Sequence, residues 1–447
     1  MTEPVQLSWF DAIRIRWWLG RLDRPVVARD RAVWWLFFGS LALYWTIGQI
    51  FHQFHAHDVD NLLFGGDTSR VWADLTRSHR QPTSGIAVSS AHPLFVFFFH
   101  PVTSLLARIL GGADLLAALL VCHTVAALGN VFLYLLLRRC DLARAWAIAV
   151  TLAFAMSTAQ LIFGSTTETY TFIPAATLGL AWMALNTRSI LLTAPVALLP
   201  FAINLTLLPY TLLCAPVLWL GRMKLRRWAP AVLGFWVAVL VFGGAALLYQ
   251  HVHYAETNFF SWSRFSAYDY YIRKPVFKDR LLELGIHFFG FSVLAGKPMV
   301  YEGDASREAG FVSNEYSTYS TVGWIAVALW ALVWLSATYG NLRTLFRISR
   351  ERRALLTLCA GWLVGTFGLF LFYGWELFLP SEYWTAFLLL WVGLGLHALM
   401  TAHPALRRPL TIIGVVAIAL LAMNQARFLM LFVRNYYDGP LLLLAGP

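Results

Sequence analysis

Apolar runs of about 20 residues, the length a helix needs to cross the hydrocarbon core of a bilayer, recur along this whole chain. Ala32 to Phe51, Leu115 to Leu137, Ala145 to Gly164, Ala229 to Gln250 and Leu410 to Val433 are examples. Charged residues make up 13% of the 447, against about 25% in an average soluble domain. The remaining polar stretches are too short to fold as separate globular domains. The sequence therefore predicts one integral membrane domain over 1–447, an all-α polytopic bundle.

The runs and their flanks place about eleven transmembrane helices near 32–51, 113–137, 144–164, 171–186, 189–203, 206–220, 229–250, 321–340, 354–373, 384–400 and 410–433. Lys and Arg decide the orientation, because they accumulate in cytoplasmic loops. With a cytoplasmic N-terminus, 21 of the 34 basic residues fall inside, among them Arg138, Arg139, Arg144, Arg222, Arg350 and Arg352, whereas 17 of the 23 acids fall outside. The net charge of +11 is thereby explained by sidedness, and nucleic acid is not expected as a partner. Pro93 to Leu110 is apolar enough to span, but counting it would reverse the loops that follow. We read it, with its internal His100-Pro101, as a re-entrant or interfacial helix on the outer face. Segment 1–31, in which Trp9 to Leu22 alternates aromatics with Arg14, Arg16 and Arg21, reads as an interfacial helix on the cytoplasmic surface, not a cleavable signal. Two large outer loops follow, 52–112 and 251–320. The four cysteines show no CxxC spacing, so neither a disulfide framework nor a zinc site is expected.

Chemistry-bearing residues gather in the outer loops. The first packs Asp58, Asp60, Asp67 and Asp74 with His52, His55, His57, His79 and His92. Gly65-Gly66 ahead of Asp67-Thr68 predicts a turn and a helix start. Asp67 is then either that helix's cap or a general base, since a partly desolvated carboxylate gains basicity. His52, His55, His57 and Asp58 have ligand types suited to a metal, or serve as polar cover at the interface. Glu168, in Phe163-Gly164-Ser165-Thr166-Thr167-Glu168-Thr169-Tyr170, is the only acid between Asp141 and Glu256. An ionisable group in so apolar a stretch is a functional candidate, or else a loop carboxylate capping the next helix. Arg264, Arg273, Lys274, Lys278, Arg280 and Lys297 lie among aromatics of the second loop. Basic groups beside an apolar amphipathic stretch at a membrane surface suit a lipid phosphate, and the aromatics also suit plain interfacial anchoring. The turn near 374–383 puts Glu382 and Tyr383 on the same face, to contact sugar hydroxyls or simply water.

The order Gly66-Asp67-Thr68, then His92-Pro93-Leu94-Phe95, then Glu168-Thr169-Tyr170-Thr171 resembles the GT-C superfamily of polytopic glycosyltransferases. It is most similar to the protein O-mannosyltransferase and lipid A aminoarabinose transferase types, over roughly the first 190 residues. Two departures are Arg70, where a second acid is usual, and the absence of a second Pro after His92. The resemblance implies a GT-C-like bundle and a polyprenyl-phosphate sugar donor used at the outer face. Asp67 takes the base role, with Asp58 or Asp60 as alternatives. Glu168 and His92 assist at the site, with Asp60, Tyr170, Glu382 and Tyr383 as positioning candidates. A divalent metal ion is left open as a cofactor.

The function these readings predict is sugar transfer from polyprenyl phosphate to a hydroxyl acceptor on protein, lipid or glycan. Asp67, Asp58 and Glu168 would carry the proton chemistry, and Arg273, Lys274, Lys278 and Arg264 would hold the phosphate. Composition leans to a bacterial inner membrane with a periplasmic site. No GxGxxG or P-loop occurs, in keeping with a donor that brings its own leaving group. The alternative is a transporter or flippase of lipid-linked glycans.

Overall fold

The computed structural model describes residues 30–57, 60, 62–76, 92–254, 277–297, 299–301, 310–312, 319–373 and 377–438. Segment 1–29, Asp58, Arg264, Arg273 and Lys274 lie outside the described residues, as does the side chain of Lys278.

The fold is an α-helical membrane bundle. Among the described residues, seven helices are long and apolar enough to cross a membrane. They are α1 (Arg31–Gln53), α4 (Asp114–Arg139), α10 (Leu225–His253), α12 (Thr321–Thr344), α13 (Arg350–Phe372), α14 (Thr385–Ala402) and α15 (Arg407–Asp438). Shorter helices are α2 (Thr68–Thr76), α3 (Phe95–Ile109), α5 (Arg144–Ala155), α6 (Thr158–Phe163), α7 (Ile173–Asn186), α8 (Ile190–Ile203), α9 (Leu208–Leu220) and α11 (Phe277–Ile286). A π-turn at His287–Phe291 extends α11, and a short antiparallel ribbon pairs β1 (Met299–Tyr301) with β2 (Gly310–Val312). The ribbon, inside the second predicted outer loop, was not legible in a pattern this brief.

Side-chain contacts orient the helices. Along α1 and α4, Tyr134 donates to Asp30 at 2.5 Å, and Asn130 donates to Ser40 at 2.8 Å and to Tyr44 at 2.7 Å. Farther along, His123 lies against Gly48. Low numbers on α1 meet high numbers on α4, so the two are antiparallel. One end of the bundle thus holds Asp30 with Arg144 at 3.3 Å, and Arg139 with Glu351 at 2.5 Å. The opposite end holds the turns after α1 and α6.

Two local features position that opposite end. The predicted span 144–164 is broken into α5 and α6 at Ser157, whose hydroxyl accepts the Gln160 N–H at 3.4 Å. The N–H groups of Thr158 and Ala159 leave the helix ladder for the carbonyls of Val293 and Ser292, at 3.2 and 3.0 Å. In addition α7, α8 and α9 have only 14, 14 and 13 residues, about 20 Å each at 1.5 Å per residue. The hydrocarbon core is about 30 Å thick, so their ends stop well short of its full depth. Helix α3, with Pro101 inside it, has 15 residues, about the length of α7 to α9.

The second half is locked by close backbone approach. A Cβ on Gly395 would lie 2.0 Å from the Ala337 carbonyl oxygen, and one on Gly340 2.3 Å from that of Gly395. Small residues let α12 and α14 meet backbone to backbone, a common solution where no hydrophobic drive separates helix from lipid. All four cysteines are buried and unpaired.

Candidate functional site

The site grows from a tight turn. Gly66 N–H closes onto the Leu63 carbonyl at 3.0 Å, with Phe64 at φ 55° and Gly65 at φ 74°. A left-handed phenylalanine is uncommon. It is held here because the Phe64 ring is fully buried against Phe378, at 4.7 Å between centroids, and near Phe291. Gly66 is required by space as well, since a Cβ there would meet Glu168 Oε2 at 3.1 Å.

The turn delivers Asp67 to the start of α2, yet Asp67 is not the side-chain cap. Asp60 does that work: its Oδ1 accepts the N–H groups of Ser69 at 2.9 Å and Arg70 at 3.1 Å, neutralising donors that the first helical turn leaves without partners. The Asp67 carboxylate is free to pair with Arg70, one turn along. Thr68 ties the helix start to Ala56 O at 2.9 Å.

Glu168 arrives from the other side. The Asp67 N–H donates to Glu168 Oε2 at 2.6 Å, across 101 residues of sequence, and the Thr169 N–H and hydroxyl donate to Oε1 at 2.7 and 2.9 Å. Thr167 donates to the Thr68 carbonyl at 3.0 Å. Of the expectations for Glu168, the cap on the following turn is what the structure shows.

Four carboxyls surround one guanidinium. Burial raises the pKa of Asp67 and of Glu168 against the opposing pull of Arg70. Asp74, buried on α2 one turn beyond Arg70, is pushed by burial up to about 7. Burial alone would lower the Arg70 pKa, but Asp67, Glu168, Asp74 and Asp60 outweigh it and raise it. A cluster of this kind holds carboxyls close to neutral-pH titration, as proton transfer requires.

His92 joins the rim. Its Nδ1 donates to the Ile203 carbonyl at 2.5 Å, closing the C-terminus of α8. Burial, aided by the Arg70 charge, lowers its pKa to about 3, so the ring stays neutral. Leu94 N–H reaches Ala202 O at 3.4 Å, and Gln250 of α10 donates to Pro93 O at 2.7 Å. The His92-Pro93-Leu94 segment is a clip between α8 and α10 as well as a wall of the site.

Tyr170 and Tyr383 meet at 5.9 Å between ring centroids, and the Tyr383 hydroxyl lies 2.6 Å from Thr206. Glu382, expected to face water or substrate, is instead interior: it is 1% exposed, and neither carboxyl oxygen has a hydrogen-bond partner among the described residues. It sits in a 3-10 turn, Leu379–Tyr383, that folds inward against α6 and α7. Of the histidines proposed for metal, His57 is buried and His52 and His55 are exposed, with the His52 and His57 rings stacked at 6.3 Å between centroids. Among the described residues no cluster of three or more His, Cys, Asp or Glu has metal-site geometry.

No protein-family model matches the chain, and no curated protein sequence matches it significantly.

Sequence reasoning undervalued three residues. Arg70 was read as a departure from a pattern and is the centre of the charge cluster. The signal was present: Asp67, Arg70 and Asp74 at i, i+3 and i+7 share one helix face. Arg280, buried on α11, donates to the Tyr373 carbonyl at 3.2 Å, making it the described cation of the second loop that reaches the bundle interior. Thr206 gave no signal in sequence.

Proposed function

We propose that this chain is a GT-C-like glycosyltransferase that moves a sugar from polyprenyl phosphate to a hydroxyl acceptor at the extracytoplasmic face of a bacterial inner membrane. In this reading α5 with α6, and α7, α8 and α9, complete eleven crossings together with the seven long helices, and the N-terminus is cytoplasmic. The observation that carries the reading is the hydrogen bond from Asp67 N–H to Glu168. It joins two distant acids around Arg70, at the end of the bundle opposite the arginines that the charge rule assigns to the cytoplasm.

Asp67 takes the proton of the acceptor hydroxyl. The oxygen attacks the anomeric carbon, the bond from that carbon to the phosphate oxygen breaks, and polyprenyl phosphate departs with the electron pair. Glu168 fixes the Asp67 backbone and hence the direction of its carboxylate. The bond to Arg70 keeps Asp67 from being fully neutralised by burial, a balance between basicity and ionisation. Negative charge grows on the leaving phosphate, and preorganised cations stabilise it. Arg280 is the described candidate, alongside Arg264, Arg273, Lys274 and Lys278 of the same loop.

The test is transfer of labelled sugar by the purified, lipid-reconstituted protein supplied with polyprenyl-phosphate sugars and inner-membrane acceptors. Asp67→Asn and Glu168→Gln are expected to abolish transfer while inserting normally. Retention of transfer by both variants overturns the reading. The transporter alternative draws on one observation, the interior carboxyl of Glu382, and predicts lipid-linked glycan movement across vesicles with no covalent product.

A further inference from the structure

A cavity of about 620 Å³ separates α11 and its π-turn from α12. Its walls are apolar, with Leu282, Gly285 and Phe289 on one side and Trp324, Trp330 and Leu335 on the other. Leu282, Trp324 and Leu335 are each more than half exposed, so the groove opens to the surface that faces lipid. Trp324 to Leu335 covers eleven residues of α12, about 17 Å of helix. One leaflet of a 30 Å hydrocarbon core is about 15 Å deep. The groove therefore begins near the start of α12 and has the depth of a single leaflet.

At the mouth of the groove stand two cations. Tyr319 lines the groove and also lines a small adjoining cavity with Lys297, Ser320 and Arg427. Its hydroxyl donates to the Leu294 carbonyl at 2.6 Å, which fixes the ring between the two spaces. Lys297 and Arg427 are exposed, and neither has a hydrogen bond or ion pair among the described residues. Their level follows from α15. Gly414 packs on Trp146, and Gln425 donates to the Met156 carbonyl at 3.0 Å, so α15 runs parallel to α5, away from the Asp30 end. Arg427 stands twenty residues beyond Arg407, about 30 Å along the helix, which is the thickness of the hydrocarbon core. A Cβ on Gly323 would lie 3.2 Å from Asn424 Oδ1, so α12 begins at the same level. Two unpaired cations at the far boundary of the membrane, above a groove one leaflet deep, match an amphiphile with a phosphate above and an acyl chain below. Phosphate accepts charge-assisted bonds from guanidinium and ammonium, and the chain supplies the dispersion contacts that an open groove forfeits.

We propose that Lys297, Arg427 and the α11–α12 groove bind an anionic glycerophospholipid, with its phosphate between the two cations and one acyl chain in the groove. Among the described residues no acid lines the cation pocket, so nothing there receives the ammonium of a zwitterionic headgroup. The single-leaflet depth selects an acyl chain over a longer polyprenyl chain. The bound lipid wedges α11, which carries Arg280, at a fixed distance from α12. The site stands or falls independently of glycosyl transfer, because it rests on the groove and the cations alone.

The test is thermal unfolding of the purified full chain in detergent micelles holding rising fractions of phosphatidylglycerol or of phosphatidylcholine with the same acyl chains. A ligand that binds only the folded state raises the unfolding temperature once its concentration passes its Kd. Phosphatidylglycerol is expected to act at about tenfold lower fraction than phosphatidylcholine, the factor that one charge-assisted hydrogen bond supplies. Lys297→Gln combined with Arg427→Gln should bring the two lipids to the same value. Gly285→Leu places its side chain in open space and fills the groove, so it should remove the rise for both lipids without lowering the lipid-free unfolding temperature. Equal action of the two lipids on the unaltered protein overturns the proposal, as does a full rise retained in the double variant or in Gly285→Leu. An equal rise with inorganic phosphate alone reduces the site to a headgroup pocket and overturns it. Polyprenyl phosphate acting at lower fraction than phosphatidylglycerol gives the groove to the sugar donor and overturns it as well.

Discussion

The two ends of the bundle handle charge in opposite ways. At the end holding Asp30, several guanidiniums find acceptors of their own: Arg138 bonds Leu142 O at 2.5 Å, Arg222 bonds Ala184 O at 3.0 Å, Arg352 bonds Leu394 O at 2.8 Å, and Arg353 bonds Leu345 O and Phe346 O at 3.0 Å. Several of these carbonyls sit near helix ends, where a cation also meets the favourable pole of the helix dipole. At the other end Asp60, Asp67, Asp74 and Glu168 share Arg70, and Glu382 has no cation at all among the described residues. At the arginine end the charges are spread over separate carbonyls and pairs, and so read as architecture. The acidic end is held unsettled by its fold, the condition under which protons and phosphates can be exchanged.

The sharpest way to break this contrast is to neutralise one residue at each end. Asp67→Asn should lower kcat by at least about a hundredfold, the usual loss for a general base, with unchanged membrane insertion. Arg139→Leu, which removes the ion pair to Glu351, should cost about 1 kcal/mol of stability and leave kcat of the folded fraction alone. Equal effects of the two on kcat would erase the distinction. Next in size, Gly395→Val drives a side chain into the Ala337 carbonyl and should cost about 3 kcal/mol or more through overpacking, read as a fall in thermal stability and folded yield. Asp60→Ala should cost about 1 kcal/mol by uncapping α2, with a fall in kcat only as far as Asp67 is displaced. A kcat loss matching that of Asp67→Asn would make Asp60 the base instead.

A further effect concerns pH. The Asp74 pKa is about 7 in the folded state against an ordinary value of 3.8. Between those values the folded protein holds a proton that the unfolded chain has lost. The contribution is therefore fully present below about 3.8, declines as pH rises, and is gone above about 7. Stability measured across that window should slope downward, and Asp74→Asn should flatten it. An upward slope attributable to Asp74 would mean its carboxylate is paired more strongly than it is desolvated.

What the sequence made legible follows from range. The apolar runs announced the long helices, because span length and hydropathy are properties of one segment. The nearness of Asp67 to Glu168 was suggested only by resemblance, since a bond across 101 residues leaves no periodic trace. The break at Ser157 was missed because 144–164 is uniformly apolar, and the break is completed by Ser292 and Val293 from another part of the chain. Glu382 was taken for a loop residue because it follows a polar turn, and nothing local shows that Leu379–Tyr383 folds inward. The cap on α2 was assigned to Asp67 by adjacency, whereas Asp60 supplies it from the preceding loop.

The brevity of α8 and α9 has a consequence for the surrounding lipid. Both carry outward leucines, Leu191, Leu192, Leu213 and Leu220 among them, yet each offers only about 20 Å of apolar height. A bilayer meeting so short a wall thins locally to avoid exposing its chains. Such a dimple would open beside His92 and Thr206, lowering headgroups and water toward groups that would otherwise sit under oil.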